Sequence, residues 1–136
     1  MTLDIGMGSL AYLSIGGQDI SEYVEDSGLD FARATDDINT YGLQWAYRLA
    51  GIISGSLNAA CVYDPALDAE VWAASTSSTE VAWEFGPQGD TPGNVRYSGN
   101  MFIENSSISA PSQRAVRQNF SCVINGEITR GVFPGP

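Results

Sequence analysis

The stretch from Asp26 to Asp64 decides the fold, and it reads DSGLDFARATDDINTYGLQWAYRLAGIISGSLNAACVYD. Its first part, Ser27 to Thr35, alternates apolar and polar side chains, which is the pattern of a half-buried β-strand. Its second part, Leu43 to Val62, alternates in the same way over a longer distance. We therefore predict a long β-hairpin whose strands are joined by an acidic loop from Asp36 to Gly42.

The second strand of this hairpin carries one irregularity. Its apolar side chains share one parity: Tyr47, Leu49, Ile53, Leu57 and Ala59. Ile52 falls outside that alternation, and Gly51 and Gly55 lie within the strand. The pattern predicts a bend or a β-bulge at this point. Because a long hairpin is only marginally stable alone, it is expected to pack against another surface.

A single helix is expected after the hairpin, between Asp64 and Ala74. Asp64 has a side chain suited to an N-cap, and Pro65 suits the first helical position. Leu67, Val71 and Ala74 form one apolar stripe, which predicts that this face covers part of the sheet. N-capping explains the nearby acidic residues better than calcium binding does, because they lack the spacing of an EF-hand loop.

A second long hairpin follows in the C-terminal half. Its strands are predicted at Val95 to Ile108 and Arg114 to Ile124. Asn125-Gly126 predicts a tight turn, after which Glu127 to Phe133 forms a further strand.

Two shorter strands are predicted at Ala11 to Ile15 and at Glu80 to Phe85. The fold class that follows is mainly β: a small β-sandwich or barrel with one flanking α-helix and two long hairpins. At 136 residues the chain is long enough for one domain with its own core. We therefore predict a single domain over residues 1–136, with an N-terminal segment 1–10 and a short C-terminal tail 134–136.

Composition excludes several functions. The chain has six cationic residues, all Arg, against sixteen Asp and Glu, and its formal net charge is -10. This balance argues against nucleic-acid binding by phosphate neutralisation. Without His, a Ser-His-Asp or Cys-His arrangement is impossible, and without Lys there is no Schiff-base residue. We predict neither an enzyme nor a cofactor or metal site.

The two cysteines, Cys61 and Cys122, lie in predicted strands and lack a CxxC spacing. Buried free thiols are favoured over a disulfide, because nothing in the sequence indicates export. Segment 1–10 has an Asp and no cation, which is not typical of a signal peptide. No apolar run approaches the length of about 18 residues that predicts a membrane span.

Long hairpins have free edges, and such edges invite pairing with other chains. Few protective devices are visible here: there is no Lys, and Pro is absent from the predicted strand interiors of both hairpins. Self-assembly through the sheet edges is the expected result.

Six short motifs, taken in order, resemble those of the major tail tube proteins of long, non-contractile-tailed bacteriophages. They are Ile15 to Ser21, Thr35 to Asp37 with Tyr41-Gly42, Leu49 to Gly51, Tyr63 to Trp72, Asn94 to Asn100, and Ile124 to Arg130. The resemblance extends from about Leu13 to Val132, and its specificity lies in the order and spacing of the motifs.

This resemblance implies a structural protein that forms homohexameric rings with a shared inner β-barrel. The rings would stack into a tail tube, the channel through which DNA is delivered to the host. It further implies a place in the virion tail after assembly in the host cytoplasm, and a tape-measure protein, a tail terminator and tail-tip proteins as partners. Genome DNA would pass through without specific binding, and no membrane would be involved.

Two sets of residues acquire roles from this comparison. The first hairpin's loop is implied to stack on the neighbouring ring: Asp36, Asp37, Ile38, Asn39, Thr40, Tyr41 and Gly42. The polar parity of the strands predicts the channel lining: Asp30, Ser54, Ser56, Asn58, Ser98, Glu104, Asn119 and Ser121. Four strands from each of six copies would form a barrel roughly 48 Å across, wide enough for a duplex of about 20 Å.

Other interpretations of the same residues stay open. The chain is alternatively a monomeric or trimeric β-sandwich that binds a partner or decorates a virion. Asp36 and Asp37 form a solvated acidic loop, pair as acid and base, or bind a cation. Arg96 and Arg117 either line the channel or pair across strands with Asp30 or Glu104. The three Trp residues form either a sugar-binding platform or, on separate elements, core and interface packing.

Overall fold

The computed structural model describes residues 11–38, 41–42, 44–45 and 47–134. The strands are β1 Tyr12–Ile15, β2 Gln18–Asp19, β3 Val24–Ile38, β4 Tyr47–Val62, β5 Val81–Gly86, β6 Val95–Ser109 and β7 Arg117–Val132. The helix α1 spans Pro65–Thr76, and a short 3-10 turn spans Ser21–Tyr23. All strands belong to one antiparallel sheet in the order β2-β1-β5-β6-β7-β4-β3, which does not close on itself. The predicted mainly β fold with one helix is confirmed.

Strand β3, the first strand of the first hairpin, extends further toward the turn than the sequence predicts. Asp36, Asp37 and Ile38 belong to strand β3 and pair with residues of β4. The Arg48 Nε donates to the Asp37 Oδ1 at 2.9 Å, and this cross-strand ion pair holds an acidic residue in the strand. Placing these three residues in a loop was therefore wrong, although Tyr41 and Gly42 do form a turn. The predicted loop residues Asn39 and Thr40 lie outside the described residues.

The predicted bulge in β4 is confirmed. Arg33 pairs with Ile53 while Thr35 pairs with Ala50, so β4 has one extra residue between these positions. A Cβ on Gly51 would lie 2.9 Å from the Ala34 carbonyl oxygen, which explains the glycine. The side chains of β3 keep alternating between the two faces of the sheet through this point. In β4 the extra residue reverses the alternation, so odd-numbered residues on the two sides of the bulge lie on opposite faces. The single apolar parity predicted for Tyr47, Leu49, Ile53 and Leu57 is consequently broken.

The predicted turn at Asn125-Gly126 is wrong, because β7 runs through it as one strand. Ser98 of β6 pairs with Thr129, while Asn100 pairs with Asn125, so β7 contains extra residues here. Gly126 adopts a φ of 92°, a conformation that favours glycine. The dipeptide therefore produces a bulge. The chain does not reverse, because β6 continues as the partner on both sides.

Helix α1 begins as the sequence predicts. The Asp64 side chain accepts a hydrogen bond from the Ala66 N–H at 2.9 Å, and Pro65 occupies the first turn. The helix extends to Thr76 because hydroxyls near its end bond to its own carbonyls: the Ser75 Oγ donates to the Val71 oxygen at 2.7 Å. The Gln118 side chain on β7 also donates to Asp68 at 3.3 Å, which ties the helix to the sheet.

The core lies between the helix and one face of the sheet. The apolar stripe of α1 is buried as predicted. It packs with one cluster of buried side chains from five strands: Leu13, Ile15, Leu57, Ala59, Cys61, Trp83, Met101, Phe120, Cys122 and Ile124. Residues from β1 and β4 contribute to the same cluster although these strands are far apart in the sheet, so the sheet curls around the helix.

Replacing Asp64 by Ala is expected to lower the free energy of unfolding by about 1 kcal/mol, because the Ala66 N–H then loses its cap. Urea denaturation measures this loss. Glu70→Ala is the matched control, since it removes one negative charge from the same helix without removing the cap. Equal losses in both variants would show that charge, and not capping, stabilises the helix start.

Candidate functional site

One face of the sheet, opposite the core, is lined with small polar side chains. Residues directly opposite each other on paired strands share a face. The row Asn105, Ser121, Asn58 and Gly28 crosses β6, β7, β4 and β3, and the next row contains Ser107, Asn119, Ala60 and Asp26. We call these two rows, together with Asp30, Ser54 and Ser56, the polar face. It contains a shallow, open groove of about 520 Å³.

Six of the eight residues predicted to line a channel lie on the polar face. Asp30 pairs with Ser56, and Asn58 pairs with Ser121. Ser54 and Asn119 extend the same face along β4 and β7. The structure therefore brings these six together, whereas their exposure to a channel remains a prediction.

The two other predicted residues lie apart from these six. Ser98 pairs with Glu84 and Thr129 in another part of the sheet. Glu104 lies in a bulge of β6, between Ile103 and Asn105. That bulge shifts the parity of β6, so that Asn105 and Ser107 lie on the polar face instead. Sequence analysis missed both residues because the polar run from Glu104 to Ser107 has no period of its own.

The polar face carries amides, hydroxyls and two carboxylates, Asp26 and Asp30, and none of its residues is cationic. Arg117 pairs with Glu25 at 2.6 Å and Arg96 pairs with Glu84 at 3.8 Å. The predicted partners Asp30 and Glu104 were wrong, because register places each Arg beside a different carboxylate. A neutral to acidic surface of this kind attracts neither phosphates nor other anions.

Neither of the two cysteines is suited to act as a nucleophile. Cys61 and Cys122 are buried free thiols, as predicted. Burial raises the pKa of Cys61 to about 11, with a contribution from Glu25, and burial raises the pKa of Cys122 to about 12. Both thiols are therefore protonated at neutral pH and poorly nucleophilic.

Neither a metal-ion cluster nor a membrane-spanning helix occurs in the part of the chain that the structure describes. No group of three or more Cys, Asp or Glu residues there is arranged to hold a metal ion. Within the same residues, no helix is long and apolar enough to span a bilayer.

The four-stranded part of the sheet, β6-β7-β4-β3, has two free edges. Strand β3 is the last strand of the sheet, and its residues from Asp30 to Asp37 are exposed. On the opposite side, β5 pairs with β6 only between Tyr97 and Met101. The remainder of β6, residues 102–109, therefore has a partner on its β7 side alone.

Large apolar side chains are exposed at the hairpin end and on the helix. Tyr41 is fully exposed, and Trp45 is 78% exposed. Trp72 on the outer side of α1 is 69% exposed, whereas Trp83 is in the core. The three Trp residues lie on separate elements, so they do not form a common platform for a sugar. Exposed aromatic area of this kind is typical of interaction surfaces.

Comparison with solved structures identifies the fold. A chain of the virion of a native gene transfer agent particle matches with a TM-score of 0.80 at 15% identity, over 93% of this chain and 99% of that chain. A chain from the tail of an empty gene transfer agent particle with C6 symmetry matches with a TM-score of 0.76 at 16% identity, over 93% and 98%. The tail tube of SPP1 matches with a TM-score of 0.76 at 12% identity, over 96% and 81%.

No protein-family model matches the chain, and no curated protein does. At identities below one fifth, the structural matches establish the fold. The resemblance seen in the short sequence motifs and the likeness seen in the structure agree, and the chain has the phage tail tube fold.

Proposed function

We propose that this protein is the subunit of a phage-type tail tube, where it has a structural and not a catalytic role. Subunits form homohexameric rings, the rings stack, and the tube becomes part of a virion tail assembled in the host cytoplasm. The observation that carries this proposal is a four-stranded sheet with one polar face and two free edges, in a chain of tail tube fold. A structural neighbour comes from a tail with C6 symmetry, which supports the ring size.

The dimensions of such a ring suit a DNA channel. Four strands from each of six subunits, spaced by about 4.8 Å and tilted by about 40°, give a backbone diameter of roughly 48 Å. Side chains reduce the opening to roughly 35–40 Å, which still admits a duplex about 20 Å wide. The wall lies about one Debye length from the DNA.

The polar face is the proposed channel lining. Its carboxylates repel phosphates weakly across the gap between wall and DNA. The polar face has no cationic side chain that could bind a phosphate. The net charge of -10 acts in the same direction. DNA therefore passes without specific binding, and a tape-measure protein occupies the same space before ejection. A tail terminator and tail-tip proteins bind the two ends of the tube.

The segment from Asp36 to Gly42 is proposed to contact the next ring. The described residues of this segment lie at the β3–β4 hairpin end. The β6–β7 connection lies at the other end of the four-stranded sheet, because Ser109 pairs with Arg117 and Arg117 pairs with Val62. In a stack, the hairpin end of one ring faces the opposite end of the next ring. Tyr41 supplies exposed apolar area at this contact.

The alternative is a monomeric or trimeric module that decorates a virion or binds a partner. The free edges favour the tube, since an isolated subunit would leave both of them open to non-specific pairing.

Electron microscopy of the purified protein at high concentration tests the proposal. We expect six-fold rings or stacked tubes, with Asp30, Ser54, Ser56, Asn58, Asn119 and Ser121 facing the channel. The same map tests Ser98 and Glu104, which lie apart from that group. A closed ring of another symmetry, or a polar face on the outer surface of the tube, would contradict it.

A further inference from the structure

We infer that the ring closes when strand β3 of one subunit pairs with residues 102–109 of strand β6 in the next, in a register that places Ala32 opposite Ser107. This inference rests on the proposed function. It specifies which edges meet and where along them the pairing falls.

The direction of pairing follows from the strand order. Neighbouring strands in β6-β7-β4-β3 are all antiparallel, so β6 and β3 run in opposite directions. A β3 strand that meets the β6 strand of another copy therefore forms an antiparallel pair. Since the two edges lie on opposite sides of the subunit, the contact is head-to-tail, which is the kind of contact that generates a ring when its rotation closes.

The available length of β6 limits the register. Within one subunit, Ser107, Asn119, Ala60 and Asp26 lie in one row across the four strands. A ring without stagger would thus place Asp26 opposite the neighbour's Ser107. Barrel strands tilt, however, and a tilt of about 40° over four strands shifts the register by about five residues per subunit.

The direction of this shift is set by the ends of the strands. Strand β3 begins at Val24, so a shift of four or six residues toward its start would leave at least residues 106–109 of β6 without a partner. A shift toward the hairpin end instead places these residues beside the exposed part of β3, from Asp30 onward. Because β5 pairs with β6 from Tyr97 to Met101, residues 102–109 are the long unpaired stretch of this edge.

Face alternation and apolar contact select one register. Polar-face residues must meet polar-face residues, so the shift is an even number of residues, four or six. Phe31 and Ile108 both lie on the face away from the polar one, and they are 61% and 55% exposed. A shift of six places them directly opposite each other, whereas a shift of four places Phe31 opposite Ser106.

An apolar groove lies beside Phe31 and supports the same choice. It has a volume of about 380 Å³, and its walls include Phe31, Ile53, Tyr97 and Ile128. The neighbour's Ile108 would fill part of this groove. Pairing would then bury two side chains that the free subunit exposes to water.

Cysteine cross-linking of assembled tubes tests the register. The variant Ala32→Cys with Ser107→Cys is expected to yield a ladder of disulfide-linked species up to hexamer on non-reducing gels. The native thiols are buried, so they add little background.

Two matched pairs report the competing registers: Asp30→Cys with Ser107→Cys for a shift of four, and Asp26→Cys with Ser107→Cys for none. We expect each to cross-link at least about ten-fold more slowly, because the two pairs are out of register by two and six residues. A slip of two residues already moves the Cα atoms beyond the roughly 7 Å that a disulfide spans. Faster cross-linking of either control pair would overturn the register.

Replacing the two apolar side chains by an oppositely charged pair gives a second test without cysteines. Phe31→Arg alone and Ile108→Glu alone are each expected to prevent ring closure, and the combined variant is expected to restore it. Failure of the combination to restore rings would overturn the contact. Hexameric tubes without any of these cross-links would overturn the edge pairing while leaving the proposed function intact, whereas no tubes from the unaltered chain would refute both.

Discussion

Subunits in which Tyr41 and Trp45 are both replaced by Ser are expected to fold and to form rings, but not long tubes. Both aromatic side chains are exposed at the β3–β4 hairpin end, where we propose that one ring contacts the next. Burying an aromatic side chain contributes roughly 1.5–3 kcal/mol. Ordering the loop costs about 1–2 kcal/mol per fixed residue, so a single loop gains little and the contact depends on six loops acting together.

For one loop the free energy gained by burial nearly equals the cost of ordering. A small loss of contact free energy per subunit is therefore expected to have a large effect on tube length. Electron microscopy and sedimentation measure the length distribution, and urea denaturation measures subunit stability. Trp72→Ser is the matched control, since Trp72 is similarly exposed but lies on helix α1. Tubes of normal length from the double variant, or equal shortening by Trp72→Ser, would contradict the stacking role of the hairpin end.

Raising the pH from 8 to 10 is expected to lower the free energy of unfolding by about 3 kcal/mol through the two buried thiols. Burial raises the pKa of Cys61 to about 11 and that of Cys122 to about 12 in the folded protein, above their usual value of 9.0. Between these values the unfolded chain releases its thiol protons while the folded chain keeps them. Stability is therefore fully present below pH 9 and falls above it, by about 1.4 kcal/mol per pH unit for each thiol.

Urea denaturation at several pH values between 8 and 10 measures this slope. In Cys122→Ala the slope above pH 9 is expected to halve, even though the variant is less stable at every pH because a buried side chain has been shortened. Comparing slopes thus separates titration from packing. An unchanged slope in Cys122→Ala would show that groups other than this thiol govern the alkaline loss of stability.

Local chemistry made part of the fold predictable from sequence. Asp64-Pro65 marks the helix start through a side-chain cap that needs no distant partner. The bulge in β4 was also predictable, because Gly51 and Ile52 interrupt a long alternation. In contrast, Asn125-Gly126 has the local signature of a turn, and the pairing of β7 with β6 on both sides overrides it.

The residues of the polar face were predictable in strands where apolar and polar side chains alternate regularly. Along β4 and β7, parity placed Asn58 and Ser121 on one face, and the structure pairs them. Parity failed on β6, because the bulge at Glu104 depends on how β6 meets β7 and not on its own sequence. The sequence predicted that free edges exist but not where they lie. The edge at residues 102–109 of β6 is free because β5 is too short to pair with it.

The continuity of β7 has a mechanical consequence. Its first half pairs with β4 beside the polar face, and its second half pairs with β6 between Val95 and Ser98 beside the core. One covalent strand therefore joins the proposed channel wall to the body of each subunit. A load applied along the proposed wall would pass to the body through backbone bonds, and it would cross the bulge at Gly126 on the way.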